Sequence, residues 1–215
     1  MQLIDVFEIN ENSFCTVLEY CRGTDLDAQL KTRKVLSERE ARSIISQVFA
    51  GLAHLAEQKE PIIHYDLKPA NILFHNGQVR ITDFGLSKIM DESACNSEGM
   101  ELTSQGAGTM WYLPPECFEN GKDPPRISSK VDVWSAGVIL YQMLFGRRPF
   151  GHNQTQQHII RDNTIARATL LFPVKPTVTE QAKDFVQRCL TSDQNERPSI
   201  EVMLQHPFLA AGYRK

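Results

Sequence analysis

No apolar run in the 215-residue chain approaches the roughly 20 residues that a membrane-crossing helix needs. The opening residues lack the basic-then-apolar order of a secretory leader, so an exported or membrane-anchored protein is not expected. Charge of one sign is also missing. Lys and Arg total 23 against 26 Asp and Glu, a net charge of −3, whereas a nucleic-acid-binding domain is usually basic. The five cysteines include no Cys-x-x-Cys pair and no framework spacing. That argues against disulfides and structural zinc, and for reduced thiols in an intracellular protein. The six histidines show no metal-ligand spacing, and internal repeats and low-complexity tracts are absent. What remains is ordinary in make-up, 41% apolar and 23% charged, and long enough for one domain or one large lobe plus part of another.

A little β at the front gives way to mostly α behind. Residues 3–9 and 13–20 are β-rich and flank Asn10-Glu11-Asn12, which predicts a hairpin. Arg22-Gly23-Thr24-Asp25 breaks the strand ahead of a short helix. Ser37-Glu38-Arg39-Glu40 is a capping box, in which side chains satisfy orphan backbone donors. Ala41, Ile44, Ile45, Val48, Phe49 and Leu52 then recur at helical spacing, predicting a helix to about Glu57 before Pro61. Asn76-Gly77 between two short apolar runs is a strong hairpin signal. Residues 90–108, polar and without clear periodicity, are predicted to form a long loop, and such loops in compact domains tend to be functional. Residues 131–145 are apolar nearly all round, predicting a buried helix that ends at Gly146. Thr179 and Ser199 are predicted caps of two further helices, and Lys31, Arg33 and Lys34 are predicted to lie on a solvated turn.

The chemistry sits in His64-Tyr65-Asp66-Leu67-Lys68-Pro69-Ala70-Asn71 and, past the Asn-Gly hairpin, Asp83-Phe84-Gly85. Phosphoryl transfer needs one carboxylate to accept a proton from the attacking hydroxyl, and an amide plus a second carboxylate to hold Mg²⁺ against phosphates. Asp66, Asn71 and Asp83 are predicted to fill those roles, and Lys68 to place positive charge on the transferring group. Order and spacing together match H-x-D-L-x-x-x-N followed by D-F-G.

On these motifs the chain resembles the eukaryotic protein kinases, and the resemblance implies an α+β fold. It divides the chain into residues 1–21, the last hairpin and hinge of an N-terminal lobe, and 22–215, a mostly helical C-terminal lobe with an activation loop at 83–116. Thr109-Met110-Trp111-Tyr112-Leu113-Pro114-Pro115-Glu116 resembles the segment that closes that loop, with Thr109 a catalytic residue and Glu116 paired to Arg197. Asp132 resembles the buried anchor of the catalytic loop. Leu18, Glu19, Cys21, Asp25 and Leu73 resemble the nucleotide site, with Leu18 as gatekeeper and Leu73 under adenine. Trp111 and Tyr112 are expected to line the substrate cleft, His64 to brace the loop against Phe84, and Arg147 and Arg148 to lie on a solvated loop.

Lys68 with Thr109 resembles the serine/threonine-specific members. Tyr65, the Ile81–Met90 stretch, residues 102–109 and 146–154, and Phe172-Pro173-Val174-Lys175-Pro176 resemble the tousled-like kinases. The resemblance implies ATP and Mg²⁺ as cofactors, a protein substrate such as a histone chaperone, and a nuclear enzyme with no nucleic-acid or membrane partner. Tyr65 stands where the common pattern has Arg. Phosphorylation at Ser93, Ser97, Thr103 or Ser104 is therefore not expected to act through residue 65. The family's Gly-rich loop, strand lysine and helix glutamate lie upstream of the hinge hairpin, which only Met1 and Gln2 precede here. The chain alone is thus expected to bind ATP weakly, turn over poorly, and hold a poorly supported front hairpin. A non-catalytic binding module is the alternative. A small-molecule phosphotransferase also uses an Asp…Asn loop, but the peptide-site segment at 108–116 argues against it.

Overall fold

The computed structural model describes residues 1–90, 99–102, 106–119 and 124–210. Its front is an antiparallel hairpin, β1 (Leu3–Asn10) and β2 (Ser13–Leu18), closed by the Asn12 amide donating to Asn10 Oδ1. Ile4, Ile9 and Phe14 on it are each more than 60% exposed. Glu19 pairs with Arg80 at 3.4 Å, and the Arg22 amide donates to His75 Nδ1, so the chain leaving the hairpin lies along the next sheet. At Gly23 a Cβ would come 2.1 Å from the Phe74 carbonyl oxygen, so the close approach of the two backbones admits no other residue.

Helix α1 (Leu26–Arg33) is capped by Asp25, whose carboxylate accepts from the Ala28 amide at 2.7 Å. Helix α2 (Glu38–Ala56) begins with the full reciprocal box of Ser37 and Glu40 and buries Ala41, Ile44, Ile45, Val48, Phe49 and Leu52. Lys31, Arg33 and Lys34 are exposed, as a solvated turn predicts, and Arg33 also forks onto both Glu40 oxygens at 2.9 and 3.0 Å, because the α1–α2 turn brings the two helix ends together.

Among the described residues, four two-stranded antiparallel sheets carry the strands. After β1–β2 come β3 (Ile62–Ile63) with β6 (Lys88–Ile89), β4 (Ile72–His75) with β5 (Gln78–Ile81), and β7 (Met100–Glu101) with β8 (Arg126–Ile127). Asn76 and Gly77 both have positive φ, as a tight hairpin of matching twist requires.

Helix α3 (Lys130–Phe145) is enclosed on all sides, with Trp134 fully buried, and stops at Gly146 in the left-handed region. Each large aliphatic or aromatic side chain buried this way contributes roughly 1.5–3 kcal/mol, so this helix anchors the core. It packs on α2 and on α6 (Glu180–Cys189), while α4 (Gln156–Arg161), α5 (Thr164–Arg167), α7 (Ile200–Leu204) and α8 (Pro207–Ala210) complete the body. Thr179 and Ser199 cap α6 and α7. The order of elements is α+β, with small sheets around a mostly helical body.

Candidate active site

The loop between β3 and β4 is fixed from below by α3. Asp132 in the first turn of that helix accepts from the His64 amide at 2.7 Å and from the Tyr65 amide at 2.9 Å. Complete burial pushes its carboxyl above the usual range, and His64 with these two donors opposes the rise. His64 Nε2 lies 2.9 Å from the Thr82 carbonyl, which can only accept, so that nitrogen carries the proton. The His64 ring meets Phe84 edge-on at 5.0 Å, bracing the loop against the second motif.

Asp66 is 6% exposed. Its Oδ1 accepts from the Thr109 amide at 3.1 Å and the Thr109 hydroxyl at 2.8 Å, while Oδ2 accepts from Lys68 Nζ. Lys68 Nζ also donates to Thr109 Oγ1 at 3.2 Å. Asp66, Lys68 and Thr109, 43 residues apart in sequence at the extremes, thus form one hydrogen-bonded cluster. Asn71 Nδ2 donates to the Asp66 carbonyl at 2.9 Å, which commits the amide nitrogen and leaves its oxygen available. The Thr82 amide donates to the Asn71 carbonyl at 3.0 Å, placing Asp83 next to the loop.

Asp83 is exposed and has φ +64°; Tyr65 has φ +68°. Left-handed conformations are costly for residues of this kind and concentrate at functional sites. A metal with oxygen preference fits this donor set: the Asn71 amide oxygen and a solvent-facing carboxylate that, among the described residues, accepts only a long bond, 3.4 Å, from the Gly85 amide. No group of three or more His, Cys, Asp or Glu able to cage a metal occurs among the described residues. Mg²⁺ needs no such cage when phosphates supply part of its shell.

The residues of the nucleotide set lie along the hairpin exit and β4. Leu18 is exposed, and Glu19, Cys21, Asp25 and Leu73 are half-buried. Asp25 and Leu73 form an isolated backbone bridge. The Asp25 carboxylate is occupied as a helix cap, a structural task its place in the set does not reveal. The Gln2 amide, with Arg80 adding to it, holds the Glu19 carboxyl below its ordinary range. A cavity of about 500 Å³ between α2 and β5, lined by Gln47, Gly51, Leu55, Arg80, Ile81 and Phe84, contains none of these residues.

The segment that follows is tied down twice. Glu116 and Arg197 form a buried two-bond pair at 2.7 and 3.0 Å, and Ser135 Oγ donates to the Tyr112 carbonyl. Trp111 is half-buried and Tyr112 buried, and both are tied to neighbouring elements. Tyr112 is buried and its hydroxyl donates to Gln142; Trp111 Nε1 donates to the Gly151 and Gln154 carbonyls. Arg147 is exposed, as a solvated loop predicts, whereas Arg148 is half-buried: its guanidinium stacks on Trp111 at 4.2 Å and donates to the His152 carbonyl. Burial, then Arg148 and Arg147, push His152 below its usual pKa, and its Nδ1 accepts from the Arg148 amide. These contacts depend on long-range packing against the α3–α4 connection, for which the sequence carries no local signal. Ser93, Ser97, Thr103 and Ser104 lie outside the described residues.

The protein kinase domain model matches residues 1–209. The chain is 58% identical over its whole length to serine/threonine-protein kinase tousled-like 2 of Homo sapiens, covering 29% of that protein. It is 57% identical over 98% of its length to serine/threonine-protein kinase TOUSLED of Arabidopsis thaliana, covering 31%. With serine/threonine-protein kinase tousled-like 1 of Caenorhabditis elegans the figures are 53%, 94% and 21%. The chain therefore spans about a third or less of the length of the curated relatives it matches.

Proposed function

We propose a catalytic role for this chain, which belongs to the protein kinase domain family and groups with its tousled-like members: it accepts the substrate hydroxyl and holds the triphosphate in an ATP-dependent serine/threonine kinase. The observation that carries this reading is the clustering of Asp66, Lys68, Thr109 and Asn71 on a loop anchored by Asp132. Asp66 Oδ1 already accepts two bonds from Thr109, whereas Oδ2 accepts one, from Lys68. A carboxylate oxygen has two lone-pair sites. Oδ2 is therefore the atom that takes the proton as a Ser or Thr oxygen bonds to the γ-phosphorus of ATP and ADP leaves.

Lys68 Nζ, shared between Asp66 and Thr109, sits where negative charge builds on the transferred group. Asn71 Oδ1 and the Asp83 carboxylate would hold Mg²⁺, which supplies charge neutralisation of the phosphates. Leu18, Glu19, Cys21, Asp25 and Leu73 form the nucleotide side of the site, with Leu73 beneath the base.

The test is phosphotransfer by the chain joined to an upstream segment that supplies a Gly-rich loop and strand lysine, assayed on Ser, Thr and Tyr peptides. Transfer to Ser and Thr but not Tyr is expected, with Asp66→Asn slower by about 10²–10⁴-fold. Near-normal turnover in Asp66→Asn overturns the assignment. Resemblance alone supports a histone chaperone as substrate and a nuclear site of action. Phosphorylation of a purified chaperone and the location of a tagged protein test these two points.

A further inference from the structure

In the general pattern, arginine precedes the catalytic aspartate, and kinase activation loops are ordered when a loop phosphate pairs with arginine. Position 65 here is tyrosine, and it is fully buried. Its left-handed backbone is held by the hydrogen bond that the Tyr65 amide donates to Asp132, and its ring packs against Gly108 in the segment that carries Thr109. A Cβ placed on Gly108 would lie 3.4 Å from both Tyr65 Cε1 and Leu113 Cδ1, so ring and segment are in close contact. The Lys88 ammonium stands over the ring at 5.7 Å. The hydroxyl is buried beside the Cys117 thiol, a weak hydrogen-bonding group, and makes no stronger hydrogen bond among the described residues. Gly108, Leu113 and Cys117 thus enclose the ring, and the same stretch supplies Thr109 to Asp66 and Glu116 to Arg197. A guanidinium in this place would be enclosed by apolar groups with the Lys88 cation nearby, an environment hostile to buried charge.

We propose that Tyr65 is a positioning residue that docks residues 106–118 onto the catalytic loop by apolar burial, so that this docking requires no phosphate. The purpose of the docking rests on the kinase reading above, but its test does not. A phosphate-independent dock keeps Thr109 on Asp66 whatever the modification state of the neighbouring loop.

Hydrogen–deuterium exchange on the full 215-residue chain, before and after phosphatase treatment, tests this directly. Residues 106–118 are expected to stay equally protected after treatment. Tyr65→Phe is expected to keep that protection, since the ring still packs and the hydroxyl gives up only its weak contact with the Cys117 thiol. Tyr65→Ala is expected to speed exchange there by about tenfold or more, while residues 130–145 stay within about twofold. If Tyr65→Ala loosens 130–145 equally, Tyr65→Leu replaces it in the same comparison. Loss of protection on dephosphorylation, no change in the truncated variant, or a Tyr65→Phe profile like that of Tyr65→Ala would each overturn the proposal. A docked segment in a completed domain without phosphotransfer would instead sink the kinase reading alone.

Discussion

Removing the Glu116 carboxylate should be among the most damaging single changes in the chain. Arg197 is fully buried and Glu116 is 3% exposed. Arginine has five N–H donors, and all five find acceptors here. Nε donates to the Thr191 carbonyl, Nη1 to Glu116 Oε1 and the Lys130 carbonyl, and Nη2 to Glu116 Oε2 and the Ser192 carbonyl. The guanidinium also stacks over Trp134 at 5.0 Å. Glu116→Leu leaves that cation buried without its counter-charge and with two N–H groups unmatched, a loss of about 3–5 kcal/mol. For a chain of this size each kcal/mol lowers the melting temperature by about 2–4 °C, so a fall of roughly 6–20 °C is expected. Circular dichroism melts and urea titrations of Glu116→Leu, Arg197→Met and the double variant form the cycle. The double variant should recover much of the loss, because no unpaired charge remains. A single-variant cost under about 1 kcal/mol, or losses that simply add, would refute the reasoning.

Gly137 faces α6, and a Cβ there would come 2.4 Å from Cys189 Cβ; Gly137→Ala should cost about 1–3 kcal/mol by urea titration. Burial pushes the Cys117 and Cys189 thiols up. Peptide-resolved alkylation should therefore label Cys15 and Cys21 in the native chain, and Cys117 and Cys189 only in urea. The Arg33 fork, and then Ser37, hold Glu40 at about 2, down from 4.5. The unfolded group takes up its proton first as pH falls, so the stability Glu40 supplies is whole above about pH 4.5 and fades toward 2. The gap between wild type and Glu40→Gln in urea titrations should narrow over that range, and an unchanging gap would contradict it.

Local signals were the most legible. Ser37 and Glu40 mark the start of α2, Asn76-Gly77 the β4–β5 turn and Gly146 the end of α3, because each is set by backbone chemistry within a few residues. The site was legible in residue identity rather than in geometry. Spacing singles out Asp66, Asn71 and Asp83, but the double hold of Thr109 on one Asp66 oxygen spans 43 positions and has no local signature. The same is true of Trp111 under Arg148 and of Tyr65 against Cys117, whose partners arrive from other elements. Asp25 shows the converse: one short polar residue at a helix start serves as a cap while standing beside Leu73.

The proposal that Asn71 and Asp83 hold a metal-bound triphosphate is tested most directly by the affinity for Mg·ATP of the chain joined to an upstream Gly-rich loop and strand lysine, measured by calorimetry. Asn71→Ala and Asp83→Asn should each weaken it by about tenfold or more, with Asp66→Asn close to wild type. Unchanged affinity in Asp83→Asn, or an equal loss in Asp66→Asn, would contradict the division of roles.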